Sequence, residues 1–151
     1  MTLHFDRLVL DRDIACSPSR LFHLMTDPGA RAEWGKPDDE SVIEIDHADI
    51  RPGGQERARC GPKDDPHFNT VTDFHALETD TLLLSTEALT VGGTLLSVAQ
   101  IAQELVATDT GCRLTTTLQI ASLAGPDVIS EHRGGWSAAL DNLAALAASA
   151  D

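Results

Sequence analysis

Residues 127–147, DVISEHRGGWSAALDNLAALA, decide the fold of this 151-residue chain. Larger side chains recur in this stretch every three or four residues, at Ile129, His132, Trp136, Leu140, Leu143 and Ala147. This spacing predicts one buried face of a helix of about twenty residues. A lone long helix must bury that face against a large partner, so we expect a sheet to curl around it.

The residues before this helix follow the period of two that is typical of strands. A first strand is predicted at residues 8–14, with Leu8, Leu10 and Ile14 on one face. Further strands are predicted at residues 42–45, 55–60, 69–77, 81–89, 94–107 and 112–120. Short turns such as Glu78-Thr79-Asp80 and Gly92-Gly93 connect them, and short connections indicate an antiparallel sheet.

Two short helices are predicted between the first two strands. Ser17 can cap the first, and Pro18 suits its first position because no N–H is needed there. Asp27-Pro28-Gly29 should end it, and a second helical turn should span residues 30–34. The predicted fold is therefore α+β, with a sheet of six or seven strands around a long C-terminal helix. A single domain is expected over residues 1–151.

Composition excludes several functional classes. The formal net charge is -13, which disfavours binding to nucleic acids and to anionic membranes because both need basic surfaces. No apolar run is long enough for a transmembrane helix, and the first residues lack the pattern of a signal peptide, so a cytoplasmic location is expected. Cys16, Cys60 and Cys112 have no metal-type spacing, and neither a metal nor a cofactor is expected.

The two Trp residues stand beside helix boundaries or glycines. Aromatic residues make up only 4% of the chain, so Trp34 and Trp136 either line a cavity or fill the core. The pair Gly134-Gly135 lies inside the predicted long helix, where each Gly costs about 1 kcal/mol relative to Ala. Such a pair indicates a bend, the close approach of another backbone, or space for a ligand.

Several motifs in this order resemble a known family. They are Cys16-Ser17-Pro18, Trp34, Arg51-Pro52-Gly53-Gly54, Gly111-Cys112-Arg113-Leu114-Thr115 and Gly135-Trp136. The chain resembles the heat-shock-protein-90 ATPase activator homologue-like family, within the START-like (SRPBCC, Bet v-type) helix-grip superfamily. It departs where the family usually has an Ala-Pro pair, here Cys16-Ser17-Pro18, and where it often has a Gly, here Phe68-Asn69.

The resemblance implies a cavity between the long helix and the concave face of the sheet. Some relatives bind small hydrophobic or aromatic molecules, some are cyclases or other enzymes, and eukaryotic ones assist a chaperone. Fold alone does not choose among these functions.

We predict that Trp34, His132, Trp136 and Leu140 line the cavity. Ile129, His132, Trp136 and Leu140 are spaced to share one face of the long helix. Gln103 and Thr116 are the candidate polar groups, because each shares an inward strand face with apolar neighbours. Alternatively, these polar side chains only satisfy hydrogen bonds in the core. Glu56 and Arg59 point to opposite faces, and both are interpreted as solvated charges on an exposed edge strand.

These observations predict a domain that binds a small apolar or aromatic molecule without catalysis. No nucleophile elbow, zinc-protease motif or phosphate loop is present. The alternatives are a cyclase- or hydratase-type enzyme that uses His132 as an acid or base, and a co-chaperone-like stress-response protein. A homodimer paired through residues 55–60 is also expected.

Overall fold

The computed structural model describes residues 2–149, and in this range the chain forms seven strands and three helices. In chain order they are β1 (His4–Ile14), α1 (Pro18–Thr26), α2 (Pro28–Trp34), β2 (Ser41–Ala48), β3 (Gln55–Pro62), β4 (Phe68–Glu78), β5 (Leu82–Val91), β6 (Thr94–Thr108), β7 (Gly111–Ser122) and α3 (Asp127–Ala148). The strands form one antiparallel sheet in the order β1-β7-β6-β5-β4-β3-β2. The predicted helix-grip fold is confirmed.

The two short helices are set by their capping residues. Ser17 Oγ accepts a hydrogen bond from the Arg20 N–H at 3.1 Å at the start of α1. Asp27 serves both helices, because its N–H donates to the His23 carbonyl at 2.9 Å and its Oδ2 accepts from the Ala30 N–H at 2.9 Å. Because Asp27 caps α2, this helix begins at Pro28, two residues before the predicted start at residue 30.

The core lies between the helices and part of the concave face of the sheet. α3 packs against β1, β7 and the two short helices. The main cluster of fully buried side chains includes Leu21, Met25, Phe74, Leu114, Leu140 and Leu143. A second cluster includes Leu8, Ile101, Leu118, Ile120 and Ile129, and Trp136 packs against both clusters. The remaining concave surface, on parts of β2 to β5, faces α3 across a gap that α2 borders at one side.

The motif Arg51-Pro52-Gly53-Gly54 forms the connection between β2 and β3. Gly53 has a φ of 83°, a left-handed conformation that favours glycine. Its N–H donates to the Phe74 carbonyl at 2.8 Å, and the Phe74 N–H donates to the Gly54 carbonyl at 3.0 Å. The turn is thereby attached to β4, so β3 is positioned at its first residue.

The prediction that residues 55–60 form an exposed edge strand is wrong. β3 lies between β2 and β4, and the edge strands are β1 and β2. Alternation along β3 places Glu56, Ala58 and Cys60 in the cavity wall, and Arg57 and Arg59 on the outer face. The polar composition of β3 reflects outward charges and one buried acid, and a strand can have both without being an edge.

Candidate functional site

A cavity of about 300 Å³ lies between α3, α2 and the concave face of β2 to β5. Most of its wall is apolar and includes Trp34, Ile43, Ile45, Phe68, Leu89 and Trp136. A few charged side chains enter the wall from α2, β3, β5 and α3. Apolar walls with a small number of polar groups are characteristic of small-molecule sites, and this volume is at the lower end of their range.

The two Trp rings enter the wall from different elements. Trp34, at the end of α2, is 4% exposed, and its indole Nε1–H donates to the Leu24 carbonyl at 2.9 Å. That hydrogen bond fixes the orientation of the ring against α1. Trp136 stands on α3 and is partly buried. Both interpretations of the Trp residues therefore apply, because each ring packs on the core and lines the cavity.

Gly135 leaves room in the cavity wall. α3 runs unbroken through Gly134 and Gly135, and a Cβ added to either residue would meet nothing within 4 Å. Close approach of another backbone is therefore excluded as the reason for the glycine pair. Gly135 lines the cavity, whereas Gly134 is exposed, so a side chain at residue 135 would occupy volume that is now open.

A buried ion pair forms one polar part of the wall. Arg31 Nε donates to Glu56 Oε2 at 2.7 Å, and Arg31 Nη2 donates to Glu56 Oε1 at 3.2 Å. Arg31 Nη1 donates to the Met25 carbonyl at 2.8 Å. The guanidinium carbon also lies 5.6 Å from the centre of the Phe74 ring. The charge of Arg31 and three of its five N–H donors are therefore engaged by the protein itself.

Glu87 is a second carboxyl group in the wall, without such a partner. The strand register aligns Glu56, Thr72 and Glu87 across β3, β4 and β5, so the two acids share the concave face about 10 Å apart at their Cα atoms. Within residues 2–149, Glu87 makes no hydrogen bond or ion pair. Burial, assisted by the charge of Glu56 and opposed by that of Arg31, raises the pKa of Glu87 to about 7.

Glu87 is partly accessible by surface area, although it lies deep in the protein. Both observations are consistent because the accessible part of the side chain faces the cavity. The solvation of a charge depends on its depth in the protein, so the Glu87 carboxyl group is poorly solvated.

His132 extends from α3 into the same cavity. Its Nε2 lies 2.9 Å from the buried Ser97 Oγ on β6. Burial lowers the pKa of His132 below its ordinary value, so the ring is neutral at pH 7. Glu131, the preceding residue, lines the cavity but is exposed, which places it at the opening.

Comparison with known proteins identifies the family. The model of the family "Activator of Hsp90 ATPase homolog 1-like protein" matches residues 15–148. The chain belongs to this family. A search of curated proteins gave no match.

Solved structures of bacterial proteins have the same fold as this member of the activator family. A protein from Rhizobium loti is 26% identical, with a TM-score of 0.85 over 96% of this chain and 99% of that one. A protein from Chromobacterium violaceum is 21% identical, with a TM-score of 0.85 over 95% and 98% of the two chains. One from Rhizobium leguminosarum is 21% identical, with a TM-score of 0.83 over 95% of each chain.

In this activator-family chain, three of the predicted site residues meet at the cavity: Trp34, His132 and Trp136. Their role in binding stays a prediction. Ile129 and Leu140 do not line the cavity and belong to the two core clusters instead. The reason is that α3 has two neighbouring faces, and Ile129 and Leu140 lie on the one that packs against the core. The cavity faces a neighbouring stripe of α3, and its members are Val128, Glu131, His132, Gly135, Trp136 and Ala139.

Gln103 and Thr116 also lie outside the cavity wall. They are 2% and 0% exposed, and Gln103 Nε2 donates to Thr116 Oγ1 at 3.3 Å. Gln103 and Thr116 therefore fit the alternative interpretation given above, in which these side chains satisfy hydrogen bonds in the core. They share an inward sheet face as predicted, but that part of the sheet is covered by packed side chains.

Three acids in the wall were not predicted as site residues: Glu56, Glu87 and Glu131. Glu56 was expected to be solvated, yet it is 7% exposed and paired with Arg31, whereas Arg59 is a solvated charge paired with Asp46 and Glu44. The signal for Glu56 was its alternation with Arg57 and Arg59, which leaves it on the inner face. The signal for Glu87 was a lone carboxyl group inside the apolar strand β5.

Other kinds of site find no support in the described part of the chain. Residues 2–149 contain no group of three or more His, Cys, Asp or Glu side chains that could hold a metal ion. Burial raises the pKa of the Cys60 thiol to about 11, and the charge of Glu87 adds to this effect, so this cavity thiol is protonated at neutral pH. None of the described helices is long and apolar enough to span a membrane.

Proposed function

We propose that this protein binds a small apolar or aromatic molecule in the cavity beneath α3 and releases it unchanged. The observation that carries this proposal is the opening beside Gly135, bounded by two Trp rings that the protein holds in place. Transfer of an apolar molecule from water into such walls is favourable in proportion to the apolar area removed from water.

The glycine pair supports a binding role over a purely structural one. Any residue other than Gly at position 135 would fill part of the cavity, and most would favour the helix by about 0.3–1 kcal/mol. Gly135 therefore keeps open volume at a cost in helix stability. A glycine that leaves apolar volume unfilled would only destabilise a packed core.

Leucine substitutions at the two glycines test the proposal. The probe is 2-naphthylmethanol, a neutral aromatic molecule, titrated while Trp fluorescence and the melting temperature are recorded. Gly135→Leu should abolish binding because its side chain enters the cavity. Gly134→Leu is the matched control, since residue 134 is exposed, and it should bind like the parent. Equal binding by both variants would show that the probe binds elsewhere.

A second candidate function is a proton-transferring enzyme of the cyclase or hydratase type. One arrangement favours it: neutral His132 and the unpaired acid Glu87 line the same cavity. Such groups can exchange protons near neutral pH. An enzyme of this type should lose turnover but retain ligand affinity in the variant His132→Gln, whereas a pure binding protein has no turnover to lose.

A further inference from the structure

The charges that face the cavity are unbalanced toward the negative. The ionisable side chains in its wall are Arg31, Glu56, Cys60, Glu87, Glu131 and His132. Arg31 is the only permanent cation among these lining residues; Glu56 balances its charge, and Glu56 and the Met25 carbonyl accept hydrogen bonds from three of its five N–H groups. Cys60 and His132 are neutral at pH 7 for the reasons given above. Glu87 and Glu131 are thus the ionisable groups left for a ligand.

We propose that the cavity selects an apolar or aromatic molecule carrying one alkylamine group, and that Glu87 accepts the ammonium hydrogen bond. This inference rests on the proposed function and names the class of its ligand. A carboxylate or phosphate ligand would meet two further acids and a cation whose charge Glu56 already balances, so its loss of hydration would be poorly compensated. An ammonium group would donate a charge-assisted hydrogen bond to the Glu87 carboxylate.

Glu87 suits this role better than the other two acids. Both oxygens of Glu56 already accept hydrogen bonds from Arg31. Glu131 is exposed at the opening, where water and salt weaken an ion pair. Glu87 is deep, faces the cavity and has no partner within the described residues.

The inference predicts a particular pH dependence. An alkyl ammonium resembles the Lys side chain, whose pKa is about 10.4, and remains charged near neutrality. Glu87 must be ionised to bind it most strongly, and the pKa of Glu87 without ligand is about 7. The ionised fraction of such a group rises about tenfold between about pH 6 and pH 8. The affinity for the amine should rise by about the same factor, while that for a neutral analogue should stay constant.

Three probes with one ring system test the inference: 2-naphthylmethylamine, 2-naphthylmethanol and 2-naphthoate. Calorimetric titration of the full chain should rank their affinities as amine, alcohol and carboxylate. In Glu87→Gln, the preference for the amine over the alcohol should fall about tenfold, the value of one charge-assisted hydrogen bond. Glu104→Gln is the matched control, because Glu104 is exposed on the outer face of β6, and it should retain the preference.

The outcomes separate this inference from the proposed function. If the parent binds the alcohol as tightly as the amine at both pH values, the amine inference is overturned and the binding cavity stands. An amine preference that survives in Glu87→Gln would likewise overturn the role of Glu87. If none of the probes binds the parent, both proposals fail. The pH series on the parent needs no variant, so a folding defect in Glu87→Gln would not obscure the result.

Discussion

At the cavity wall, two glutamates on one sheet face behave differently because one has a partner and the other does not. The charge of Glu56 is balanced by a bidentate pair with Arg31, whereas burial raises the pKa of Glu87 to about 7. Helical spacing put His132 and Trp136 on one face of α3, and both lie in the cavity wall. It could not locate Glu87, because burial of a strand residue depends on which strands lie beside it and on what covers them.

Glu87 should make the protein less stable as the pH rises. Its folded pKa of about 7 exceeds the ordinary value of 4.5, so the folded state holds a proton that the unfolded state has lost between these values. The free energy of unfolding should therefore fall between about pH 4.5 and pH 7, by at most about 3 kcal/mol. Urea denaturation of the parent and Glu87→Gln at several pH values measures this difference.

His132 acts in the opposite direction over part of this range, because its pKa is lowered and its stabilising effect grows as the pH rises toward 6.5. The comparison with Glu87→Gln removes this contribution, since both proteins retain His132. A stability difference between the two that is independent of pH would contradict the raised pKa of Glu87.

The Arg31–Glu56 pair should be required for stability. Glu56→Gln leaves the Arg31 guanidinium buried without its counter-charge, and loss of one partner in a buried pair costs about 3 kcal/mol. Denaturant unfolding measures this loss. Asp46→Asn, which breaks an exposed pair with Arg59 on the outer face, is the control and should leave the unfolding midpoint almost unchanged. Equal effects of the two substitutions would show that burial of the inner pair contributes nothing.

Among the elements, periodicity alone located α3 and most strands within a few residues. It could not decide which stripe of α3 faces the cavity. Ile129 and Leu140 are spaced like the cavity residues, and the difference is the part of the sheet beneath each stripe. The position of β3 inside the sheet was also beyond the pattern, because strand order follows from long-range pairing. The buried side of its polar sequence becomes evident only once β2 and β4 are in place.

The glycine pair in α3 provides a prediction about helix stability. Gly134→Ala and Gly135→Ala should each raise the free energy of unfolding by up to about 1 kcal/mol, because Ala favours the helix and its Cβ has space at both positions. Thermal or urea unfolding measures the gain. A destabilised Gly135→Ala beside a stabilised Gly134→Ala would mean that the wall near residue 135 is already filled.

In the whole molecule, the family fold separates two tasks. Part of the concave face packs with the helices into a core, and the remaining part, on β2 to β5, stands away from α3 and leaves the cavity. This architecture could be predicted from the sequence, because the pattern of one long amphipathic helix follows a series of strand patterns and the family motifs occur in order. The ligand could not be predicted from the sequence, because a cavity of this kind is defined by its shape and by a few buried charges.

Self-association is a further prediction for the whole molecule. With β3 inside the sheet, the edge strands are β1 and β2, and of these β1 exposes the large apolar side chains Phe5 and Val9. We expect a homodimer at micromolar concentration. Sedimentation equilibrium should then give twice the chain mass of 16.1 kDa, and Phe5→Glu should shift the mass toward the monomer. A monomer mass for the parent would contradict this prediction.

The presence of a ligand site beneath α3 is tested most directly by NMR titration of the ¹⁵N-labelled protein with 2-naphthylmethanol. We predict saturable shifts of the Gly135 amide and of the indole N–H signals of Trp34 and Trp136. The contradicting result is a set of shifts confined to the outer face around Phe5 and Val98, or no saturable shift at all.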